Sequence, residues 1–306
     1  MKYEIVLAGG LMPFGPKTLD SKSLGGSETA MLMMARELRK LGHLITVFTN
    51  LPAKGELDYI EPGTGDDLGV RWHPIEQYPD FITNTEVDLL VVWRMAELLN
   101  MPNQARHSVL WVHDLATHND TTNKVGSLAW NFQEVWTVSE WHKKQFHEVT
   151  GYPLNRIWAT RNGIVPVETV DMGRVDKTLL YASRPERGLI HLVRPGGIME
   201  RLPEYSLNVC FYNHVAEHMK PYYNYLLQRC QELPNVEFLG HKTQQQLRQL
   251  MRNSGGYIYP SDFKDTSNIV ARECIEQELP FYTASNTGAL PETLGDCGIY
   301  VEQFMQ

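Results

Sequence analysis

The sequence predicts an α/β protein made of two doubly wound domains, and three observations lead to this fold class. Short and almost wholly apolar runs alternate with helix-length amphipathic segments, which is typical of parallel strands covered on both faces. The chain has 306 residues, enough for two domains of ordinary size. A polar break over residues 162–171, with Gly163 and Pro166, interrupts the alternation and is the natural linker.

The first predicted domain covers residues 1–165 and has five strands and two clear helices. A helix over 28–41 carries an apolar stripe and ends at Gly42. Ser139 is in position to cap a second helix over 140–149. The predicted strands are residues 3–8, 44–49, 88–93, 108–113 and 134–138.

The second predicted domain covers residues 166–306 and repeats the alternation. Its helices are predicted over 221–232, with Pro221 at the opening position, and over 244–253 and 269–277. The predicted strands are residues 178–182, 206–212, 236–239, 257–259 and 281–284. Ligands of doubly wound sheets bind beyond the carboxyl ends of the strands, so the polar loops at those ends are the candidate site.

Composition favours a soluble globular protein. Hydrophobic residues make up 42% and charged residues 21% of the chain. No apolar run approaches the roughly 18–20 residues that span a bilayer, and the N-terminus runs directly into a strand, so we expect a cytoplasmic location. The formal charge of −8 argues against a broad nucleic-acid surface. The four cysteines are far apart in the second half and predict neither a zinc site nor a redox pair.

Two glycines, Gly25 and Gly26, precede Ser27 and Glu28 at the start of the first long helix. Glycines let a ligand approach the backbone closely, and a helix N-terminus presents N–H groups with partial positive charge. This pattern suits a phosphate or a sugar hydroxyl. An ordinary glycine turn with Ser27 as the helix cap is the alternative.

His113 follows Trp111 at the carboxyl end of a predicted buried strand. An imidazole there can act as a hydrogen-bond partner or as an acid or base, and a buried structural histidine is the alternative. His118 could join it as a metal pair, but the sequence offers no third ligand at a defined spacing, so we predict no metal site.

Ser183, Arg184 and Arg187 come directly after the first strand of the second half. Arginines just past a strand end are suited to gripping a diphosphate through charge-assisted hydrogen bonds. A solvated charged loop is the alternative.

Asp265 lies on a loop after the predicted strand 257–259, and Glu273 lies eight positions further on, inside the next helix. Their acceptor-only oxygens suit vicinal sugar hydroxyls. The backbone N–H groups of Asn268 and Ile269, at the start of that helix, offer an anion site. The alternative is an acidic bias on a surface helix.

Taken in order, these motifs resemble those of the retaining glycosyltransferases of family four, which have the GT-B fold. The most specific part of the resemblance is Asp265, seven intervening residues, Glu273, and then Leu279-Pro280. The other residues that carry it are Gly25-Gly26-Ser27-Glu28, Trp111-Val112-His113-Asp114, Val138-Ser139-Glu140-Trp141-His142, Arg161-Asn162-Gly163-Ile164, Arg187-Gly188, Phe238-Leu239-Gly240, Tyr259-Pro260-Ser261 and Gly288-Ala289-Leu290-Pro291-Glu292.

The resemblance implies two Rossmann-like domains that face a central cleft. The first, residues 1–165, would serve the acceptor, and the second, residues 166–306, would bind the nucleotide sugar and is short or truncated beside the family. The implied reaction moves a sugar, with retention, from a UDP- or GDP-linked donor to an acceptor hydroxyl without a metal or other cofactor. The alternatives are a nucleotide-sugar epimerase or phosphorylase on the same fold, and a catalytically silent nucleotide-sugar binder.

The resemblance also implies roles for individual residues. His113 would approach the sugar or the acceptor, Asp265 would stand near the hydroxyls of the transferred sugar, and Arg187 would grip the donor diphosphate. Glu273 would hold the ribose hydroxyls. The residues expected to bind the donor are Gly25, Gly26, Ser183, Arg184, Arg187, Asn268, Ile269 and Glu273.

The acceptor stays open among a glycan, a lipid, a protein, a small metabolite and a modified nucleic acid. The basic and aromatic segment 141–146 could touch a membrane surface, although an ordinary half-solvated helix is the more frequent reading of such a pattern.

Overall fold

The computed structural model describes residues 1–18, 24–51, 59–61, 69–116, 131–211, 217–284 and 288–301. The chain divides into two compact units, the first ending at Asn162 and the second beginning at Gly163. Each unit has its own sheet and its own hydrophobic core. The predicted α/β fold class is therefore confirmed.

The first unit is built on a sheet of eight strands in the order β3-β4-β2-β1-β5-β6-β7-β8. Neighbouring strands are parallel, except that β3 is antiparallel to β4. The strands are β1 (Glu4–Gly9), β2 (Leu44–Thr49), β3 (Tyr59–Glu61), β4 (Val70–Pro74), β5 (Glu86–Trp93), β6 (Gln104–Trp111), β7 (Glu134–Thr137) and β8 (Ile157–Ala159). The helices are α1 (Gly26–Lys40), α2 (Tyr78–Asn84) and α3 (Glu140–Thr150). The strand order reverses between β1 and β5, which makes this the topological switch point of the unit.

The apolar run of β1 explains why this sheet is covered on both faces. Successive residues of a strand point to opposite sides. Ile5 and Leu7 accordingly belong to one buried cluster, which includes Met31 of α1. Val6 and Ala8 belong to a different cluster on the other face.

The second unit is built on a parallel sheet of six strands in the order β11-β10-β9-β12-β13-β14. The strands are β9 (Val175–Tyr181), β10 (Ser206–Cys210), β11 (Val236–Gly240), β12 (Ser254–Tyr259), β13 (Phe281–Thr283) and β14 (Gly298–Tyr300). The helices are α4 (Leu189–Val193), α5 (Ile198–Arg201), α6 (Lys220–Glu232), α7 (Gln244–Asn253), α8 (Ile269–Glu276) and α9 (Leu290–Leu294). Here the switch point lies between β9 and β12.

Local signals fix the ends of several helices. Gly42 adopts a φ of 92° just after α1, as a glycine beyond a helix end commonly does. Ser139 caps α3 by accepting a hydrogen bond from the backbone N–H of His142 at 3.0 Å. Thr243 and Gln246 form a capping box at the start of α7. The predicted helix end at Gly42 and the predicted Ser139 cap are confirmed, and so are the predicted bounds of α7, although its capping box was not predicted.

The strands differ from the prediction mainly in length. β6 begins at Gln104 and ends at Trp111, whereas the apolar run predicted residues 108–113. Polar residues extend the strand because β5 supplies parallel partners for them, with Glu86 opposite Gln104 and Val87 opposite Ala105. His113 consequently lies two positions past the strand rather than at its end.

No helix in the described ranges is long and apolar enough to cross a lipid bilayer. In α3, which contains the basic and aromatic segment, Phe146 is buried in the core while Lys144 is exposed. Three of the four cysteines are buried and Cys297 is exposed.

Candidate functional site

The loops that follow β9 and β12 meet over the switch point of the second unit. Arg187, on the loop after β9, donates from Nη1 to Oδ1 of Asp265, on the loop after β12, at 2.8 Å. The Asp265 side chain is only 5% exposed and the Arg187 side chain is 27% exposed. Two residues that the sequence predicted as site residues are thus brought together at the place where doubly wound sheets bind ligands.

Asp265 is held by further donors besides Arg187. Its Oδ2 accepts from the Tyr259 hydroxyl at 3.0 Å and from Nδ2 of Asn268 at 3.2 Å. Burial raises the pKa of the Asp265 carboxyl, and the charge of Arg187 and the hydrogen bonds from Tyr259 and Asn268 oppose that rise. The guanidinium carbon of Arg187 lies 4.1 Å from the centre of the Phe263 ring, a cation–π contact that helps to fix the side chain.

Gly188 explains how the two loops come so close. Its φ is 101°, and a Cβ placed on it would lie 2.2 Å from the carbonyl oxygen of Pro260. Only glycine avoids both the backbone strain and the collision. The sequence identified the Arg187-Gly188 pair without identifying this reason for the glycine.

Ser183 and Arg184 lie on the same loop as Arg187. Arg184 is exposed and forms an ion pair with Glu186. The backbone carbonyl of Arg184 accepts a hydrogen bond from the Tyr181 hydroxyl at 2.7 Å, which ties the loop to the end of β9. The three predicted residues therefore share one loop, and Arg187 is the one of them that donates to the Asp265 carboxylate.

Helix α8 begins beside the Arg187–Asp265 pair. Asn268 is the helix cap, and its Oδ1 accepts from the backbone N–H of Ala271 at 2.9 Å. Its side chain therefore joins the helix start to Asp265, since Nδ2 donates there. Ile269 is the first residue of the helix. N–H groups in a first helical turn have no partner within the helix and carry partial positive charge.

Glu273 occupies a buried ion pair inside the second unit. Its Oε1 accepts from Nη2 of Arg248 at 3.0 Å, and the two side chains are 4% and 2% exposed. Arg248 also pairs with Glu276. Burial raises the pKa of Glu273 to about 7, although Arg248 opposes the rise. The sequence did not predict Arg248, which lies 25 positions before its partner.

In the first unit, Gly25 rather than Ser27 is the N-cap of α1, and it makes no side-chain capping bond. The alternative interpretation, with Ser27 as the helix cap, is therefore wrong in naming Ser27. Glu28 folds back over the glycine, since a Cβ on Gly25 would lie 2.4 Å from Oε2 of Glu28. Gly26 is exposed at the first position of the helix.

Arg94 lies at the centre of this unit's switch point, and the sequence did not predict it. It follows β5 and donates from Nε and Nη2 to both oxygens of Asp114, at 2.7 and 3.0 Å. Its Nη1 donates to Oε1 of Glu28 at 3.2 Å. A bidentate pair of this kind fixes both side chains geometrically.

His113 precedes Asp114 and is buried against two indoles. Its ring centre is 4.6 Å from that of Trp111 and 6.0 Å from that of Trp93. Burial holds the pKa of His113 well below its usual value, and the charges of Arg94 and His142 lower it further. The imidazole is therefore neutral near pH 7. His118, the conceivable metal partner, lies outside the described residues.

His142 also holds the segment that contains His113 and Asp114. Its Nε2 lies 2.9 Å from the backbone carbonyl of Asp114, and burial lowers the pKa of the imidazole to about 4. The neutral ring donates its Nε2 proton to that carbonyl. Within the described ranges, no three His, Cys, Asp or Glu side chains are grouped so that they could hold a metal ion.

No protein-family model matches the chain, and no curated protein matches it. Solved structures match it in fold at low identity. HepE from Anabaena, in complex with UDP and glucose, has a TM-score of 0.65 at 15% identity, covering 95% of this chain and 82% of HepE. The catalytic domain of starch synthase IV from Arabidopsis thaliana, bound to ADP and acarbose, has a TM-score of 0.68 at 12% identity, covering 95% and 84%. A glycosyltransferase from Rickettsia africae has a TM-score of 0.62 at 15% identity, covering 96% and 82%. These likenesses, together with two Rossmann-like sheets, show that the fold is GT-B.

Proposed function

We propose that the protein is a glycosyltransferase that moves a sugar, with retention, from a nucleotide diphosphate sugar to an acceptor hydroxyl. The observation that carries the proposal is the Arg187–Asp265 pair over the switch point of the second domain, beside the start of α8. A guanidinium and a helix N-terminus together suit a diphosphate. In support, HepE is similar in fold and its structures hold UDP or UDP-glucose.

In the proposed reaction, the bond between the anomeric carbon of the sugar and the diphosphate oxygen breaks, and the acceptor oxygen bonds to the same carbon. The acceptor proton passes to the departing diphosphate, so atoms and charge balance. Arg187 and the first N–H groups of α8, at Asn268 and Ile269, would stabilise the negative charge that develops on the leaving group. This is electrostatic catalysis by donors that are already in place. These donors take the role that a metal ion could have, so we propose a metal-independent reaction.

The buried contacts of the two carboxylates refine their proposed roles. Both oxygens of Asp265 already accept hydrogen bonds, so we propose that Asp265 chiefly aims Arg187. Oε1 of Glu273 is occupied by Arg248, so the proposed contact with the ribose hydroxyls falls to Oε2. Ser183 and Arg184 would contact the donor from the same loop as Arg187.

For the first domain, we propose the acceptor side of the reaction. Its residues would be His113, neutral and able to accept or donate one hydrogen bond, and the start of α1 at Gly25 and Gly26. The resemblance implied donor binding for these two glycines, and we propose the acceptor side for them instead because they lie in the first unit. The acceptor hydroxyl would belong to a glycan, a lipid, a protein, a small metabolite or a modified nucleic acid.

The test is a calorimetric binding screen against UDP-, GDP- and ADP-sugars, followed by assays of donor hydrolysis and of transfer to mixed acceptors. We expect one nucleotide class to bind, and Arg187→Ala to weaken that binding at least 10-fold, the loss of one charge-assisted bond of about 1.5–3 kcal/mol. The matched control for the loss of a cation is Lys177→Ala, on the first half of β9, where Nζ lies 5.9 Å from the centre of the Tyr205 ring. Binding that is abolished by a chelator would contradict the metal-independent scheme. A wild type that binds no nucleotide sugar would overturn the proposal.

A catalytically silent nucleotide-sugar binder is the second candidate. The nearly complete burial of Asp265 and Glu273 favours it, because a carboxylate that is already paired is less available to a reacting sugar. Tight binding with neither transfer nor slow donor hydrolysis would select this candidate over the enzyme.

A further inference from the structure

Arg94 has a backbone conformation that L-residues rarely adopt. Its φ is 60°, and in the described part of the chain only Arg161 and Glu278 share a positive φ among residues other than glycine. Such a conformation persists only when the surrounding contacts enforce it, and residues of this kind cluster at functional sites.

The contacts that enforce it involve every nitrogen of the guanidinium group. Nε and Nη2 bind both oxygens of Asp114, and Nη1 binds Glu28. The guanidinium carbon is 5.7 Å from the Trp93 ring centre, and the backbone N–H of Arg94 donates to the Trp111 carbonyl at 3.1 Å. The side chain is thus held by Asp114, by Glu28 and by the Trp93 ring.

These contacts join three elements at the switch point of the first domain. Glu28 belongs to the first turn of α1 and lies over Gly25. Arg94 itself follows β5. Asp114 follows β6, next to His113, and its carbonyl accepts from His142. One side chain therefore ties together the two segments that we propose for the acceptor side.

We propose that Arg94 is a positioning residue for sugar transfer, which holds the Glu28 and Asp114 carboxylates, and with them the Gly25–Gly26 turn and His113, in a fixed arrangement. The inference rests on the proposed function. With two carboxylates and one guanidinium, the cluster has a formal charge of −1. An acceptor rich in hydroxyl groups fits it better than an anionic one.

The test compares Arg94→Gly, Arg94→Lys and Glu278→Gly. Glycine suits the φ of 60°, so Arg94→Gly removes the side chain without straining the backbone. Lysine keeps the charge but cannot bond both oxygens of Asp114. Glu278→Gly is the matched control, since Glu278 has a φ of 54° and its side chain is 82% exposed.

We expect Arg94→Gly and Arg94→Lys to melt as cooperatively as the wild type and to bind the donor with unchanged affinity. The kcat for transfer should fall about 100-fold, the scale of a misplacement of about 1 Å, with little change in the donor KM. Millimolar guanidinium ion should restore part of the kcat of Arg94→Gly and leave Arg94→Lys and Glu278→Gly unaffected.

Unchanged kcat in both Arg94 variants, with an active wild type, would overturn this inference and leave the proposed function intact. A loss of kcat that is explained by weaker donor binding or by a smaller folded fraction would also overturn it. A wild type that transfers no sugar would remove the proposed function and this inference with it.

Discussion

Arg187 and Asp265 are 78 positions apart in the chain, and 2.8 Å separates Nη1 of the one from Oδ1 of the other. The pair links the two strands between which the order of the second sheet reverses. The carboxylate is buried and the guanidinium is partly solvated, so the pair is neither a surface contact nor a wholly desolvated one. Its contribution to stability should lie between those two limits.

We expect Asp265→Asn to lower the free energy of unfolding of the second domain by about 1–3 kcal/mol, because Arg187 loses its charged acceptor and an amide cannot accept all three donors. Denaturant unfolding followed by thiol labelling measures this domain, since all four cysteines lie between residues 210 and 297. Asp171→Asn is the matched control, because it also removes the carboxylate of an Arg–Asp ion pair. In that pair Arg252 is as exposed as Arg187, but Asp171 is 67% exposed. Equal effects of the two substitutions would contradict the special position of Asp265.

Gly188→Ala should destabilise the second domain strongly. The new Cβ would meet the Pro260 carbonyl oxygen at 2.2 Å in addition to the cost of a positive φ. We expect a loss of about 3 kcal/mol or more, since backbone on both sides must move. Gly240→Ala isolates the cost of the backbone conformation, because Gly240 has a φ of 69° and nothing within 4 Å of its Cβ. That variant should lose only about 1–2 kcal/mol. Similar melting temperatures for the two variants would show that the contact with Pro260 adds nothing to the cost of the positive φ.

His142 should make the first domain less stable in acid. Its pKa is about 4 in the folded protein and about 6.5 in an unfolded chain, so the unfolded state takes up the proton first as the pH falls. The contribution of this group to the free energy of unfolding is complete above about pH 6.5. It falls by roughly 3 kcal/mol as the pH is lowered to about 4. Tryptophan fluorescence follows this domain, because all seven tryptophans lie before residue 159. His142→Asn should flatten the slope, and an unchanged slope would contradict the neutral buried imidazole.

Glu273 should give the second domain the opposite slope. Its pKa is about 7 when folded, above the ordinary carboxyl value, so the folded state binds the proton more tightly. The contribution of this group to the free energy of unfolding is complete below about pH 4.5. It falls by roughly 3 kcal/mol as the pH rises to about 7. Glu273→Gln should remove that loss when unfolding is followed with a thiol reagent that works in acid. A variant that keeps the wild-type slope would show that the carboxyl stays ionised across this range.

How far the sequence predicted the molecule depends on the range of the interactions involved. The predicted helix 244–253 coincides with α7, and the capping box that begins this helix lies within four residues of the chain. The strands β3, β4, β8 and β14 were not predicted. Three of them have three residues each, which leaves little room for a period, and β4 has Arg71 and His73 inside it.

The same distinction applies to the candidate site. Arg187 and Asp265 could be predicted because each lies in a polar loop directly after an apolar strand. Arg94 could not, because its partners are 20 and 66 positions away and nothing in its neighbours indicates them. Arg248 likewise resembles an ordinary surface residue of an amphipathic helix until the fold places Glu273 beside it.

The close approach of Gly188 to Pro260 separates two kinds of selection at adjacent positions. A library randomised at 187 and 188 and sorted only for folded protein should return glycine at 188, since every side chain collides there. Position 187 should accept several residues in that sort, because Tyr259 and Asn268 still hold Asp265. Arginine should return at 187 only when the library is sorted for binding or turnover. Mutational tolerance would thus distinguish Gly188, which the loop conformation requires, from Arg187, which binding or turnover requires.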